Sequence, residues 1–274
     1  MPEAPFPTVV CGVDGTRESF EASRQAGRLA GPRGRVVLVA ATHFLDAVSG
    51  RWGPELILWD VLETPPRDLG HLHDAVREMA GDSLARAGGQ LADPTVETRL
   101  VTGRAYDELR EVAIDEGARL IAVGAHGGRR LAGAVLGSVA TMLLHDAPTS
   151  VLIARPPFDP AAFPLRVAVG IDGSDASLHA LSVAAALCAD PARDLTVVVA
   201  TRGEDVDADA LARQAGPHAV TVVHHRPVDA LIDAASRADL LVVGSRGAAG
   251  LRALGSVSER VAHRAASSVL VVRP

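Results

Sequence analysis

A glycine-rich segment in the first half of the chain has the residue types and the spacing of a phosphate-binding loop. It begins as Gly124-Ala-His-Gly127 and, after nine further residues, ends at Gly137-Ser138. The apolar run 120–123 precedes it, and a helix-like sequence follows it. Glycines let backbone N–H groups approach an anion, and a helix N-terminus adds partial positive charge. The segment is therefore a candidate nucleotide site.

The same pattern recurs in the second half of the chain. Gly244-Ser-Arg-Gly247 is followed by seven residues and then by Gly255-Ser256. Beyond the glycines, segments 136–156 and 254–274 align without a gap and share Leu-Gly-Ser-Val, a histidine, Ser-Val-Leu and Arg-Pro. The chain therefore contains two related units, each with a candidate site.

A proline-rich segment separates the two units. Four prolines within residues 156–164 exclude a helix interior or a central strand there. We predict an N-terminal domain over residues 1–157, a linker over 158–164 and a C-terminal domain over 165–274. The C-terminal unit is the shorter, with 72 positions from Asp172 to Gly244 against 110 from Asp14 to Gly124.

Strand and helix patterns alternate in each unit, and most strands are continuous apolar runs, as in parallel sheets covered on both faces. We predict an α/β fold of two tandem doubly wound, Rossmann-like domains, each with a five-stranded parallel sheet of order 3-2-1-4-5. Strands one and four are then neighbours, so Asp14 and the loop from Gly124 would flank one cleft. Asp172 and Gly244 would do so in the second unit. The alternative is that both aspartates only form turns, because Asp-Gly is a common turn pair.

The amino-acid composition and the net charge exclude several classes of function. A chain of 274 residues that is 48% hydrophobic suits two domains, and a net charge of −6 without a basic cluster argues against nucleic-acid partners. No apolar run reaches the roughly 18 residues of a membrane span. Two isolated cysteines and no secretory signal predict a cytoplasmic protein. The chain has no lysine, which excludes a Walker-type P-loop.

These residues resemble the universal stress protein family in its tandem-domain form, over nearly the whole chain. The spacing G-x-x-G-(x9)-G-[ST] marks the ATP-binding branch of that family and is intact in the first unit. The resemblance implies that the protein binds ATP, commonly with Mg²⁺, and has a regulatory role in stress response. It implies a binding site at strand ends, in the glycine loop and at the next helix N-terminus: Asp14, Ala41, Thr42, Gly124, Gly127, Gly137, Ser138 and Val139.

Within that implied site, Asp14 would lie beside the adenine and ribose, and Ala41 and Thr42 would border the adenine. The loop backbone at Gly124 and Gly127 would close over the phosphates. The terminal phosphate would be held at the start of the helix that follows, by Gly137, Ser138 and the N–H of Val139.

The second unit departs from the pattern. Its loop is two residues shorter, which removes up to roughly 7 Å of reach. We therefore expect ATP to prefer the N-terminal unit. The candidate residues of the second site are Asp172, Gly244, Gly247, Gly255 and Ser256. For Ser138 and Ser256 the alternative is a role as helix N-caps, and the sequence from Ser256 to Glu259 fits a capping box.

Two other functions stay open, a slow ATPase or phosphotransfer enzyme and a nucleotide-free interaction scaffold. No catalytic base and no metal-ligand cluster stands out, so we expect neither dedicated catalysis nor a protein-built metal site. The resemblance implies pairing of the domains through their last strands, Ser150–Ala154 and Ser268–Val272, and a homodimer is left open. The segment 42–70, which contains Trp52 and Trp59, is expected to border the nucleotide or to cover the core or a subunit contact.

Overall fold

Strands and helices alternate along the chain in a computed structural model that describes residues 4–42, 69–126, 136–157, 163–200, 213, 218–223, 226–245 and 255–274. The chain divides into two compact units, Phe6–Leu143 on one side and Leu144–Pro274 with Met1–Pro5 on the other. No helix among the described residues is long and apolar enough to cross a membrane.

Among its described residues, the first unit contains four strands joined by helices. In chain order its elements are β1 (Thr8–Gly12), α1 (Arg17–Ala30), β2 (Arg35–Thr42), α2 (Leu69–Gly88), β3 (Thr95–Thr102), α3 (Ala105–Asp115) and β4 (Leu120–Gly124). The helix α4 (Ser138–Asp146) follows and ends beyond the unit's last residue.

The four strands are parallel and lie in the order β3-β2-β1-β4. Val10 of β1 lies opposite Val37 of β2 on one side and Ile121 of β4 on the other, and all three are fully buried. Helices cover such a parallel sheet on both faces, which is why its central strands are uninterrupted apolar runs.

Six strands of the second unit lie in the part of the chain that the structure describes. Its elements are β5 (Ser150–Ala154), β6 (Val167–Ile171), α5 (Asp175–Leu187), α6 (Pro191–Asp194), β7 (Leu195–Ala200), β8 (Ala219–Val223), α7 (Pro227–Ala235), β9 (Leu240–Gly244), α8 (Ser256–Arg264) and β10 (Ser268–Val272). The strand order is β5-β10-β9-β6-β7-β8. Reading from β8 to β10 gives the predicted order 3-2-1-4-5, all parallel.

The fifth strand of the first repeat packs in this second unit. β5 pairs antiparallel with β10, with Leu152 opposite Leu270 and Val151 opposite Val271. This is the predicted pairing of the two last strands. It also explains why the compact unit begins at Leu144, although the sequence repeat begins near Arg166.

Candidate functional site

The carboxylate of Asp14 is held by the first turn of α1. Its Oδ1 accepts hydrogen bonds from the Thr16 N–H at 3.1 Å and from the Thr16 hydroxyl at 2.5 Å. Thr16 is the N-cap of α1, and its hydroxyl oxygen accepts the Ser19 N–H at 3.2 Å. Gly15 has a φ of 79°, a left-handed conformation that favours glycine.

The turn interpretation of Asp14 is therefore correct for one oxygen of the carboxylate. No described residue donates a hydrogen bond to the other oxygen, Oδ2, which remains available as an acceptor. Asp14 itself is half-buried. One carboxylate can thus shape the turn and also receive a donor from a ligand.

The second repeat builds the same turn. Asp172 Oδ1 accepts the Ser174 N–H at 3.1 Å and the Ser174 hydroxyl at 2.6 Å, and Gly173 has a φ of 81°. Ser177 occupies the place of Ser19 and accepts the Asp172 N–H at 3.3 Å. The hydroxyl residues two and five positions after each aspartate are visible in the sequence, and their recurrence could have identified this network. Asp172 differs in being exposed.

Strand pairing brings the carboxyl ends of β1, β2 and β4 to one edge of the sheet, and Asp14, Ala41, Thr42 and Gly124 lie at or directly after these ends. Gly12 at the end of β1 lies opposite Val39 in β2, and Cys11 lies opposite Ala122 in β4. The carboxyl ends of β1, β2 and β4 therefore meet. The helices α1 and α2 pack together, while α3 contacts β1, β2 and β4. Right-handed crossovers place α3 on the opposite face, so the winding reverses between β1 and β4.

The end of β2 contributes Ala41 and Thr42 to this edge. Thr42 is buried, and its hydroxyl donates to the Val101 carbonyl at 3.1 Å. Its own carbonyl accepts the Gly103 N–H at 3.1 Å. Thr42 therefore ties β2 to β3, while Ala41 is half-buried beside it. The Thr42 hydroxyl can still accept a hydrogen bond from a ligand, but it cannot donate one because its hydrogen is already bonded to Val101.

The first glycine of each loop has a packing role. A Cβ on Gly124 would lie 2.9 Å from the carbonyl carbon of Glu18 in α1. A Cβ on Gly244 would lie 2.5 Å from the carbonyl oxygen of Ala176 in α5. Real Cβ atoms do not approach backbone so closely. Glycine at these positions lets a helix cross close to the end of β4 or β9, whatever binds in the loop.

The N-terminus of α4 lies next to the end of β4. The Gly137 N–H donates to the Ala125 carbonyl at 2.8 Å, one residue beyond the strand. The Thr141 N–H donates to the Gly137 carbonyl at 3.0 Å, so Gly137 precedes the first helical residue, Ser138, which is exposed. The first N–H groups of a helix, here from Ser138, Val139 and the residue after them, have no acceptor within it and carry partial positive charge.

The capping alternatives for both serines are wrong. Gly255 is the N-cap of α8, with no side-chain capping bond, and Ser256 is already the first helical residue. The Glu259 N–H donates to the Gly255 carbonyl at 3.0 Å. Ser138 likewise follows the residue that precedes α4. Both helices are therefore preceded by a glycine, which has no side chain that could cap them.

The thiol of Cys11, which lies in β1 near this edge, is a poor nucleophile. Burial, followed by the charge of Asp14, raises the pKa of the Cys11 thiol well above its ordinary value. Within the described ranges, no group of three His, Cys, Asp or Glu residues could hold a metal ion. The predicted loop residues Gly127 and Gly247, and the Trp52 and Trp59 of the predicted border segment, lie outside the described residues.

The amino-acid sequence is similar to members of one known protein family. The profile of the universal stress protein family matches residues 5–155 and 199–273. A universal stress protein of Mycobacterium tuberculosis strain H37Rv is 31% identical over 299 residues, which cover 97% of this chain and 96% of that protein. One of Mycolicibacterium smegmatis is 29% identical over 293 residues, covering 97% of both.

Among solved structures, a universal stress protein from Archaeoglobus fulgidus superposes with a TM-score of 0.70 at 20% identity, over 97% of this chain and 96% of that one. The fold and the repeated strand-end turn define a tandem α/β protein of the Rossmann-like class. With the family match over both repeats, this chain belongs to the universal stress protein family, as a member with two such domains in tandem.

Proposed function

We propose that this universal stress protein binds ATP in its N-terminal repeat and acts as a regulatory factor in stress response. The observation that carries the proposal is the closeness of three features at one sheet edge. They are the Oδ2 of Asp14, to which no described residue donates a hydrogen bond, the end of β2, and the N-terminus of α4, where the Gly137 N–H donates to the Ala125 carbonyl just beyond β4.

Each feature suits one part of ATP. A carboxylate oxygen accepts hydrogen bonds from ribose hydroxyls or an adenine amine, and the backbone N–H groups of Ser138 and Val139 suit a phosphate. Ala41 is small and half-buried, as a wall against a flat base would be. Mg²⁺ is usually bound through substrate phosphates with few protein ligands, so it would accompany the nucleotide.

The comparison of the two repeats favours the N-terminal one. Both have the aspartate turn and a helix preceded by glycine, but Asp14 is half-buried whereas Asp172 is exposed. Water competes more effectively for a hydrogen bond at an exposed carboxylate. The second loop is also shorter by two residues. We therefore expect weaker binding in the C-terminal repeat.

The matched substitutions Asp14→Asn and Asp172→Asn test the assignment. Asparagine keeps an Oδ1 that can accept both bonds from Thr16, so the turn is retained, but an amide donor replaces the outward carboxylate oxygen. A lost hydrogen bond to a charged group is worth about 1.5–3 kcal/mol, so Asp14→Asn should weaken ATP binding by roughly tenfold or more. Asp172→Asn should leave the main affinity unchanged.

Equilibrium titration with ATP measures both variants. Equal losses in the two would remove the preference for the N-terminal repeat, and no loss in either would remove Asp14 from the site. Steady phosphate release that disappears in Asp14→Asn would instead favour the slow-ATPase alternative.

We further propose that the protein is cytoplasmic. Cys11 and Cys188 are both free thiols, which supports a reducing compartment such as the cytoplasm. A homodimer stays a prediction, and analytical ultracentrifugation with and without ATP would measure it.

A further inference from the structure

Two arginines that are equivalent in the sequence repeat each contact the helix of the other repeat. Arg155 follows β5 and donates to the Ala262 carbonyl at 2.6 Å, near the end of α8. Arg273 follows β10 and donates to the Leu144 carbonyl at 2.7 Å, near the end of α4. Leu144 and Ala262 are also equivalent positions in the gap-free alignment of 136–156 with 254–274. The two contacts are therefore reciprocal.

Serines of the paired strands hold the backbone of both arginines. The Ser268 hydroxyl accepts the Arg155 N–H at 2.9 Å and donates to the Arg155 carbonyl at 3.0 Å. Ser150, its equivalent, accepts the Arg273 N–H at 3.1 Å. Each arginine is thus fixed at its backbone by the neighbouring strand and at its guanidinium by a helix carbonyl.

The guanidinium of Arg155 is buried, and its second contact is the Ser267 carbonyl at 3.3 Å. A cation at the last carbonyls of a helix satisfies acceptors that have no intrahelical donor and complements the helix dipole. These arginines therefore fix the C-terminal ends of α4 and α8, which gives a structural role to the arginine that both repeats share.

The opposite ends of the same helices are the candidate phosphate sites. α4 begins at Ser138 and α8 at Ser256, and each helix has only nine residues. We propose that Arg273 is a positioning residue for the anion site of the N-terminal repeat, and that Arg155 does the same for the C-terminal repeat. Each arginine serves the site of the repeat to which it does not belong. This inference rests on the proposed function.

The effect is one of position rather than of long-range charge. A nine-residue helix is about 13.5 Å long, which exceeds the Debye length of about 8 Å at physiological ionic strength. Direct attraction between the guanidinium and a phosphate at the far end is therefore largely screened. A short helix moves as a unit, so releasing its C-terminal end displaces the N–H groups at its start.

The variants Arg273→Met and Arg155→Met test the crossed assignment, since each removes an equivalent contact and retains the apolar stem. Titration with ATP should show about fivefold weaker binding to Arg273→Met, within the range for residues that act through a connecting element. Arg155→Met should bind ATP at the N-terminal site like the wild type. Arg273→Lys keeps a charge and a donor and should recover most of the affinity. The ratio of Arg273→Met to wild type should not change when salt is raised.

Amide hydrogen exchange without nucleotide provides a second readout. Exchange should accelerate in α4 for Arg273→Met and in α8 for Arg155→Met. Three results would each overturn the inference. They are equal affinity losses in the two variants, wild-type ATP affinity in Arg273→Met, and an affinity loss in Arg273→Met that disappears at high salt. If the wild type does not bind ATP, but exchange accelerates in α4 for Arg273→Met and in α8 for Arg155→Met, the proposed function fails and the positioning of the helices stands.

Discussion

Replacing Gly124 by alanine tests whether this motif glycine serves packing. The new Cβ would lie 2.9 Å from both the carbonyl carbon and the Cβ of Glu18, and 3.0 Å from its carbonyl oxygen. Two of these atoms belong to the backbone of α1, so the helix itself must move. Most of α1 is buried against the sheet, with Ala22 and Ala26 fully enclosed.

These contacts determine how much Gly124→Ala lowers the free energy of unfolding. Overpacking a well-packed core costs typically about 1–3 kcal/mol. The reduced freedom of the unfolded chain returns about 0.4–1 kcal/mol on a Gly→Ala change. The net loss is therefore about 1–2 kcal/mol, which lowers Tm by about 3–6 °C for a unit of this size.

Thermal unfolding followed by circular dichroism measures the change, with Gly81→Ala as the control. Gly81 lies within α2, and a Cβ there would meet nothing within 4 Å. Alanine should stabilise that helix by about 0.5–1 kcal/mol. If Gly124→Ala unfolds at the wild-type temperature but loses ATP affinity, the glycine serves the ligand and the packing explanation is refuted.

Two further predictions concern the turn and the acid stability of the first unit. Thr16→Val removes the N-cap of α1 and the hydroxyl that orients Asp14, so it should cost about 1 kcal/mol of stability and weaken ATP binding. Thr16→Ser keeps the hydroxyl and should change neither stability nor binding. Equal behaviour of the two variants in urea unfolding and in ATP titration would contradict this. The hydrogen bond from Arg35, with a further one from Arg99, lowers the pKa of Glu116 below its ordinary value. Because the folded pKa is depressed, this stabilisation is present above the unfolded value of 4.5 and is lost as pH falls through the folded one. Glu116→Gln should therefore reduce stability at pH 7 and flatten its decline below pH 4.5, and a parallel decline in denaturation profiles would contradict the assignment.

Much of the fold was predictable because the determining signals are local or repeated. Uninterrupted apolar runs such as residues 120–123 predict buried parallel strands, and the strand Leu120–Gly124 is found there. The matching ends of the two repeats predict that Ser150–Ala154 and Ser268–Val272 play equivalent parts, and these strands do pair. That β5 would pack in the unit of the second repeat follows from this pairing and not from any boundary in the sequence.

The candidate site was less predictable because its details depend on contacts between distant residues. Gly124 looks like a loop residue in the sequence, and only the approach of Glu18 reveals its packing role. The capping box from Ser256 failed by one residue, because the helix begins directly after Gly255. The recurrence of Asp14 and of the hydroxyl residues after it could have indicated the turn, but not that Thr16 occupies only one of the two carboxylate oxygens.

The most direct test of ATP binding in the N-terminal repeat is calorimetric titration of Gly137→Asp against Gly255→Asp. Aspartate before the first helical residue is a favourable N-cap, so the helices are retained, but its charge occupies the place of a phosphate. We expect wild-type binding close to one ATP per chain, no detectable binding to Gly137→Asp, and unchanged binding to Gly255→Asp. Wild-type affinity in Gly137→Asp, with α4 shown to be intact, would contradict it.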